Sequence, residues 1–158
     1  MASSLPRCLQ LCLLCVAVRS VESAKCVYPG GECYELRLQK CKDSANWTIH
    51  GLWPEWDNGC PGPKFDVSAL TSIRSEMEAK WISCPEFGEA NEVFWQHEWE
   101  KHGTCSRMDE ASFFKKALQL YDQYKVKCGK KKEGDCAICF NEDLVTLETC
   151  PPILGLVV

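Results

Sequence analysis

The chain has 158 residues, of which 46% are hydrophobic and 25% charged, and its formal net charge is −4. This length and composition predict one globular domain with a modest core, and no internal repeat points to a second unit. The acidic balance excludes a protein that binds polyanions through its overall charge, because non-specific affinity for phosphates comes mainly from Lys and Arg.

Residues 1–23 are typical of a secretory signal peptide. Arg7 supplies the positive start, residues 8–18 form a short apolar stretch, and small residues lead to a cleavage point at Ser23. The apolar stretch is about 11 residues long, whereas a membrane-spanning helix needs roughly 20. We therefore expect residues 1–23 to be removed and residues 24–158 to form a single exported domain.

Ten of the 13 cysteines lie beyond this predicted signal peptide. In an oxidising compartment such a density is typical of a disulfide-linked domain. Cys136 and Cys139 have the spacing of a redox or zinc pair, but no second pair has zinc-like spacing. Structural bridges are therefore the favoured interpretation.

In chain order, residues 26–43 are predicted to be mostly loop, with residues 35–38 as a short edge strand. The β-favouring run at residues 46–52 predicts a strand that carries His50 near its end and stops at Pro54.

Three amphipathic segments then predict helices over residues 68–83, 92–102 and 109–125. The third begins with two acidic residues, which suit a helix N-terminus. Residues 129–134 carry three consecutive lysines and predict a solvated loop.

Residues 137–140 and 144–147 predict two strands that a short polar turn joins, with Cys139 and Cys150 placed to link them. The whole pattern predicts an α+β fold, in which an antiparallel sheet packs against helices and disulfides link the elements.

The three histidines of the sequence, His50, His97 and His102, all lie in two short aromatic-rich segments. Residues 47–54 read Trp-Thr-Ile-His-Gly-Leu-Trp-Pro, and residues 94–103 read Phe-Trp-Gln-His-Glu-Trp-Glu-Lys-His-Gly. This concentration is the main indication of function.

The second segment gathers its polar groups on one side of a helix. At 3.6 residues per turn, and with His97 at 0°, Lys101 lies at about 40°, Phe94 at about 60°, Glu98 at about 100° and His102 at about 140°. Two imidazoles, an ammonium, a carboxylate and an aromatic ring thus share one broad face.

This set of groups suits phosphoryl transfer without a metal. Two histidines with pKa values near the working pH can act as base and acid, while a cation and a carboxylate stabilise the crowded phosphorus centre. RNA supplies its own nucleophile, the 2′-hydroxyl, so no activated serine or cysteine is needed.

Three alternatives remain at this point. His97 and Glu98 match the first two residues of the zinc-protease motif His-Glu-x-x-His. In that motif the second histidine lies about 40° round the helix from the first, whereas His102 follows five residues after His97 and lies about 140° round it. We therefore expect no metal and no other cofactor. The histidines could also be packed core residues, and composition alone would fit a secreted disulfide-rich binding module.

The two histidine segments resemble the active-site motifs of the ribonuclease T2 family, acid endoribonucleases of secretory and lysosomal compartments. The resemblance is specific over about 20 residues and looser over residues 33–124 and 128–151. It implies cleavage of RNA in two steps through a 2′,3′-cyclic phosphate, with low base specificity. It also implies a secreted or lysosomal protein, which we expect to be a monomer.

The resemblance implies a role for each polar residue of the two motifs. His102 would be the base on the 2′-hydroxyl and His50 the acid that protonates the departing 5′-oxygen. Their roles would be exchanged when water opens the cyclic product. His97 would hold the phosphate, and Glu98 and Lys101 would stabilise the transition state.

The resemblance also implies a site for the base of the substrate. Trp53 and Phe94 match positions that stack on a base, and Glu55 matches a carboxylate that touches it. The alternatives are that the two rings are core aromatics and that Glu55 is a solvated surface charge.

By the same resemblance, disulfides would join Cys33 to Cys41, Cys60 to Cys105 and Cys139 to Cys150. Four cysteines are then left without an assigned partner: Cys26, Cys84, Cys128 and Cys136. Asn46 begins an Asn-x-Thr glycosylation sequon in a chain that we expect to be exported.

The chain departs from the family pattern in two places. Residues 26–33 stand where family members carry a core strand with a Gln-x-Trp-Pro pattern, and several tens of residues are lacking between Tyr124 and Cys128. We expect a shortened form from which some strands are missing. It is either a working acid ribonuclease or a catalytically impaired form that acts as a binding or regulatory protein.

Overall fold

The computed structural model describes residues 26–129 and 134–152. The predicted signal peptide and most of the predicted lysine-rich loop lie outside the described residues. Four antiparallel strands form one sheet in the order β2-β1-β3-β4. The strands are β1 (Cys33–Lys40), β2 (Thr48–Pro54), β3 (Gly134–Asn141) and β4 (Leu147–Glu148).

Strand β1 lies in the centre of the sheet, so the prediction of a short edge strand at residues 35–38 is wrong. It pairs with β2 on one side and with β3 on the other. Tyr34, Leu36 and Leu38 are buried in the core, whereas Glu35 and Arg37 line a pocket on the other face. Charged residues in a strand are typical of a solvent-exposed edge, but here they line the pocket.

The segment predicted as one helix over residues 68–83 is divided in two. A 3₁₀ helix covers Val67–Ile73 and α1 covers Arg74–Lys80. The hydroxyl of Thr71 donates to the carbonyl oxygen of Ser68 at 2.7 Å. Hydroxyl groups that bond to nearby backbone compete with a regular α-helix, which explains the tighter first half.

The other two helices lie close to their predicted positions. Helix α2 spans Asn91–Lys101 and α3 spans Glu110–Tyr124. The Asp109 carboxylate accepts a hydrogen bond from the backbone N–H of Ser112 at 2.9 Å and caps α3. Within the described residues, every helix is too short or too polar to cross a bilayer.

The core is rich in tryptophan, and its indole N–H groups fix the helices to the sheet. Trp81 donates to the backbone oxygen of His50 at 2.9 Å, and Trp95 donates to the backbone oxygen of Trp81 at 2.7 Å. Trp81 also packs edge-on against Phe114, with ring centroids 5.0 Å apart. Buried aromatic rings contribute large apolar areas, so this cluster holds the backbone of β2 at His50.

Five disulfides link the described residues. They are Cys26–Cys33, Cys41–Cys84, Cys60–Cys105, Cys128–Cys136 and Cys139–Cys150. The implied pairs Cys60–Cys105 and Cys139–Cys150 are present, and the implied pair Cys33–Cys41 is wrong. Cys33 begins β1 and Cys41 follows its last residue. An extended strand of this length separates its ends by about 26 Å, whereas bridged Cα atoms lie within about 7 Å.

Candidate active site

A pocket of about 620 Å³ lies where β1 and β2 meet the end of α2. Seven of the eight predicted catalytic and substrate-binding residues line it: His50, Trp53, Glu55, His97, Glu98, Lys101 and His102. The eighth, Phe94, is buried behind His50, with ring centroids 5.7 Å apart. The fold thus brings the two histidine segments into one site.

His50 and Glu98 face each other across the floor of the pocket. The Nε2 atom of His50 lies 3.9 Å from Oε1 of Glu98. The Glu98 side chain is 2% exposed and that of His50 is 32% exposed. The Glu98 carboxyl group is therefore almost enclosed at the pocket wall, whereas His50 is more open to a molecule in the pocket.

Trp53 contacts His50, Glu98 and His102. Its indole N–H donates to Oε2 of Glu98 at 2.9 Å, and its ring stacks on His102 with centroids 5.0 Å apart. The His50 ring meets Trp53 edge-on at 5.1 Å. The Arg37 guanidinium lies over the Trp53 ring, 4.9 Å from its centroid. Trp53 therefore positions the imidazoles and the carboxyl group.

Gly51 makes the contact between Trp53 and Glu98 possible. A β-carbon at residue 51 would lie 2.1 Å from Nε1 of Trp53 and 2.2 Å from Oε2 of Glu98. Both distances are far below van der Waals contact. Only glycine leaves room for this hydrogen bond above β2.

Burial controls the charge of the two central histidines. It lowers the pKa of His50 to about 4, an effect that the Asp135 carboxylate opposes. Burial, aided by the positive charge of Lys101, lowers the pKa of His102 to about 3. Within the described part of the chain, neither buried Nδ1 atom has a hydrogen-bond partner. Both imidazoles are therefore neutral near pH 7.

The pKa values of two acidic side chains of the pocket, Glu55 and Glu98, are shifted in the opposite direction. Burial raises the pKa of Glu98 to about 8, although the hydrogen bond from Trp53 opposes it. Burial and the neighbouring Glu35 raise the pKa of Glu55 to about 7. In mild acid both side chains are protonated and can donate hydrogen bonds.

His97 and Lys101 occupy exposed positions on the rim of the pocket. Their charges lower the pKa of both central histidines. Lys101 provides local positive charge in a chain with a net charge of −4. A polyanion could therefore be held at this rim despite the overall balance.

Sequence reasoning missed four polar and aromatic side chains of the pocket: Tyr28, Glu35, Arg37 and Asn58. Arg37 forms ion pairs with Glu35 and with Asp135, the latter at 3.6 Å. The alternation of polar and apolar residues along β1 could have placed Glu35 and Arg37 on one face. No local signal indicates that the loop containing Tyr28 approaches the histidines.

Metal-ligating atoms come together at one point of the described ranges, at Cys41, Cys84 and Glu86. The two sulfur atoms are joined in a disulfide, which removes the thiolates that a metal would require. This cluster lies apart from the histidine pocket.

The fold and the pocket define a disulfide-linked α+β protein with an imidazole–carboxyl cluster at the end of a helix. A sequence model of the Ribonuclease T2 family matches residues 19–134. The chain belongs to the ribonuclease T2 family.

Several curated relatives are similar in sequence. Ribonuclease 1 of Arabidopsis thaliana is 38% identical over 120 residues, which cover 70% of this chain and 47% of the relative. Extracellular ribonuclease LE of Solanum lycopersicum is 35% identical over 112 residues, which cover 61% of this chain and 47% of the relative. Ribonuclease T2 of Homo sapiens is 35% identical over 101 residues, which cover 60% of this chain and 39% of the relative. The chain thus spans about half the length of the curated relatives it matches, or less.

Solved structures share the fold. Ribonuclease MC1 from the seeds of bitter gourd has a TM-score of 0.60 at 24% identity, over 73% of this chain and 92% of that chain. A mutant of RNase MC1 in complex with 5′-GMP has the same TM-score, identity and coverage. Human RNase T2 has a TM-score of 0.60 at 23% identity, over 70% of this chain and 85% of that chain. These likenesses show that the α+β fold is that of the family.

Proposed function

We propose that this chain is a metal-independent endoribonuclease that cleaves single-stranded RNA through a 2′,3′-cyclic phosphate, with low base specificity. The observation that carries the proposal is the convergence of His50, Glu98 and His102 around Trp53 in one open pocket. The relatives described above are named ribonucleases, and a nucleotide occupies one structural neighbour.

In the first step, the neutral imidazole of His102 takes the proton from the 2′-hydroxyl. The 2′-oxygen attacks phosphorus, the bond to the 5′-oxygen breaks, and protonated His50 gives its proton to that leaving oxygen. Because Nδ1 of each imidazole is buried, we assign the proton transfers to Nε2. In the second step, His50 takes a proton from water, the hydroxide opens the cyclic phosphate, and His102 returns a proton to the 2′-oxygen.

The electrostatics of the site favour an acid pH optimum. The reaction requires one protonated and one neutral imidazole, and burial lowers the pKa values of His50 and His102 to about 4 and about 3. The Asp135 carboxylate favours protonation at His50. The fraction of molecules with the required pair therefore rises as the pH falls towards that range.

The remaining polar groups would stabilise the extra charge on phosphorus. Glu98 is uncharged in acid because burial raises its pKa to about 8, so it can donate a hydrogen bond to a phosphoryl oxygen. Lys101 and His97 at the rim would hold the non-bridging oxygens. The Arg37 guanidinium, which lies over the Trp53 ring, would add further positive charge.

We further propose that the protein is exported as a monomer or delivered to a lysosome or another endomembrane lumen. Five disulfides favour an oxidising compartment, and one relative is named an extracellular ribonuclease. Asn46 is exposed and borders a separate cavity that shares no residue with the histidine pocket. A glycan at Asn46 would therefore leave the active site open.

The test is digestion of single-stranded RNA by the purified full chain at about pH 5 with a chelator present, because general acid–base catalysis requires the correct protonation state. The wild type is compared with His102→Ala and with the control Gln96→Ala, whose exposed side chain contacts Glu100 on the same helix. We expect His102→Ala to lose roughly 10²–10⁴-fold in rate and the control to match the wild type. Equal rates for wild type and His102→Ala would contradict the proposal. RNA binding without cleavage by the wild type would favour the impaired, regulatory form.

A further inference from the structure

One wall of the histidine pocket takes no part in the proposed chemistry. It is formed by the loop between Cys26 and Cys33, from which Val27 and Tyr28 line the pocket, and by Pro151 and Pro152 opposite the helix. Tyr28 is 46% exposed although it borders a concave site. An exposed aromatic ring at the edge of a nucleotide-sized pocket is a candidate contact for a flat ligand.

The aromatic residues that the family resemblance assigns to base stacking are occupied inside the protein. Trp53 stacks on His102, carries Arg37 over its ring and donates its N–H to Glu98. Phe94 is 9% exposed, packs against His50 and does not reach the pocket surface. Of the aromatic rings that line the pocket in the described ranges, the histidines aside, only Tyr28 is not engaged by the catalytic groups.

The loop that carries Tyr28 is held in place from both ends. A disulfide joins Cys26 to Cys33, and both cysteines are fully buried. The N–H of Gly31 donates to the backbone oxygen of Glu55 at 3.1 Å, and the N–H of Glu55 donates to the backbone oxygen of Cys33 at 3.0 Å. The backbone of Tyr28 also forms a hydrogen bond with the Glu55 carboxyl group. Tyr28 and Glu55 therefore form one unit beside the histidines.

We propose that the Tyr28 ring is the platform on which a base of the bound RNA stacks, so that the Cys26–Cys33 loop is part of the substrate-binding site. The inference rests on the proposed function. Stacking on an aromatic ring accepts every base, because each has a π-face. Glu55 and Asn58 line the same pocket and could offer a carboxyl and an amide group to the edge of that base.

The proposal is tested by steady-state cleavage of RNA by the full chain with Tyr28→Ala, Tyr28→Phe and Phe87→Ala. Phe87 is a matched control because it is an exposed ring, 67% accessible, outside the pocket. We expect Tyr28→Ala to raise KM about 10-fold, since stacking of one base is worth roughly 5-fold to 150-fold in affinity, with a smaller effect on kcat. Tyr28→Phe keeps the ring and should stay within about twofold of wild type, because stacking does not need the hydroxyl.

A second measurement separates recognition from chemistry and from folding. Binding of a fluorescent single-stranded oligonucleotide is measured in the His102→Ala background, with and without Tyr28→Ala, and thermal unfolding is followed for each variant. We expect Kd to rise about 10-fold at an unchanged unfolding midpoint.

An unchanged KM and Kd in Tyr28→Ala would overturn the inference while the proposed function stands. So would a loss in Tyr28→Phe equal to that in Tyr28→Ala, because the hydroxyl and not the ring would then be responsible. If the wild type neither binds nor cleaves RNA, both the inference and the proposed function are wrong.

Discussion

The two walls of the pocket are built in different ways. The chemical wall, formed by β2 and α2, is packed into the core: Trp81 holds the backbone of His50, and Trp53 holds the Glu98 carboxyl group. The other wall, which we call the recognition wall after the role proposed above, is the surface loop of residues 26–33. The Cys26–Cys33 disulfide and backbone hydrogen bonds to Glu55 hold it in place. Changes in the first wall should therefore damage turnover and folding together, whereas changes in the second should act mainly on substrate affinity.

The largest expected effect is loss of the proton donor in the chemical wall. His50→Ala should lower kcat by roughly 10²–10⁴-fold, the range that a positioned general acid contributes. The measurement is the initial rate of RNA cleavage at saturating substrate. Binding of oligonucleotide should be almost unchanged, and a large loss of affinity with kcat intact would reverse the assignment of the two walls.

Removal of the bridge that closes the recognition loop should affect affinity and stability without affecting chemistry. For the double variant Cys26→Ser, Cys33→Ser we expect KM to rise and the free energy of unfolding to fall by about 2–3 kcal/mol, as for a short disulfide loop. Denaturant unfolding and steady-state kinetics provide both values. A fall in kcat with KM unchanged would show that this loop supports the catalytic groups.

Gly51→Ala tests how closely the chemical wall is packed. The added β-carbon would collide with Nε1 of Trp53 and Oε2 of Glu98. We expect a loss of about 1–3 kcal/mol in unfolding free energy from overpacking, together with a lower kcat. A variant with the stability and turnover of the wild type would mean that the hydrogen bond between Trp53 and Glu98 is not required.

The smallest expected effect is on the pH dependence of stability. Burial raises the pKa of Glu98 to about 8, so the unfolded chain releases this proton at a lower pH than the folded protein does. The free energy of unfolding therefore falls as the pH rises towards 8. The lowered pKa values of His50 and His102 act in the opposite direction and only in acid, below the ordinary histidine range. Glu55 adds to the effect of Glu98 up to about pH 7.

Wild type should therefore lose about 1–2 kcal/mol of unfolding free energy between about pH 6.5 and 8, since one pKa unit corresponds to about 1.4 kcal/mol. Glu98→Gln has no proton to release and should show a much flatter profile. Denaturant titrations across this range provide the measurement. Parallel profiles for the two proteins would contradict the assigned charge state of Glu98.

The sequence is more informative about the chemical wall than about the recognition wall. Helical periodicity alone places Glu98, on α2, on the same side as His102, which directly follows the helix, because the pattern is local. The central position of β1 cannot be predicted from its own residues, because its partner β3 lies about 100 residues away in the chain and only that pairing places β1 in the centre. The loop that carries Tyr28 is held at the site by the Cys26–Cys33 bridge and by backbone hydrogen bonds to Glu55, and cysteine spacing alone determines neither.

We propose that His50 and His102 cleave RNA by a cyclising reaction without a metal. The most direct test follows the phosphorus NMR spectrum of a short RNA incubated with the purified full chain in mild acid and chelator. We expect 2′,3′-cyclic phosphate ends to form first and then to be converted to 3′-phosphates, and we expect His102→Ala to form neither. Products that carry 5′-phosphates and 3′-hydroxyls from the start, or cleavage that the chelator abolishes, would contradict it.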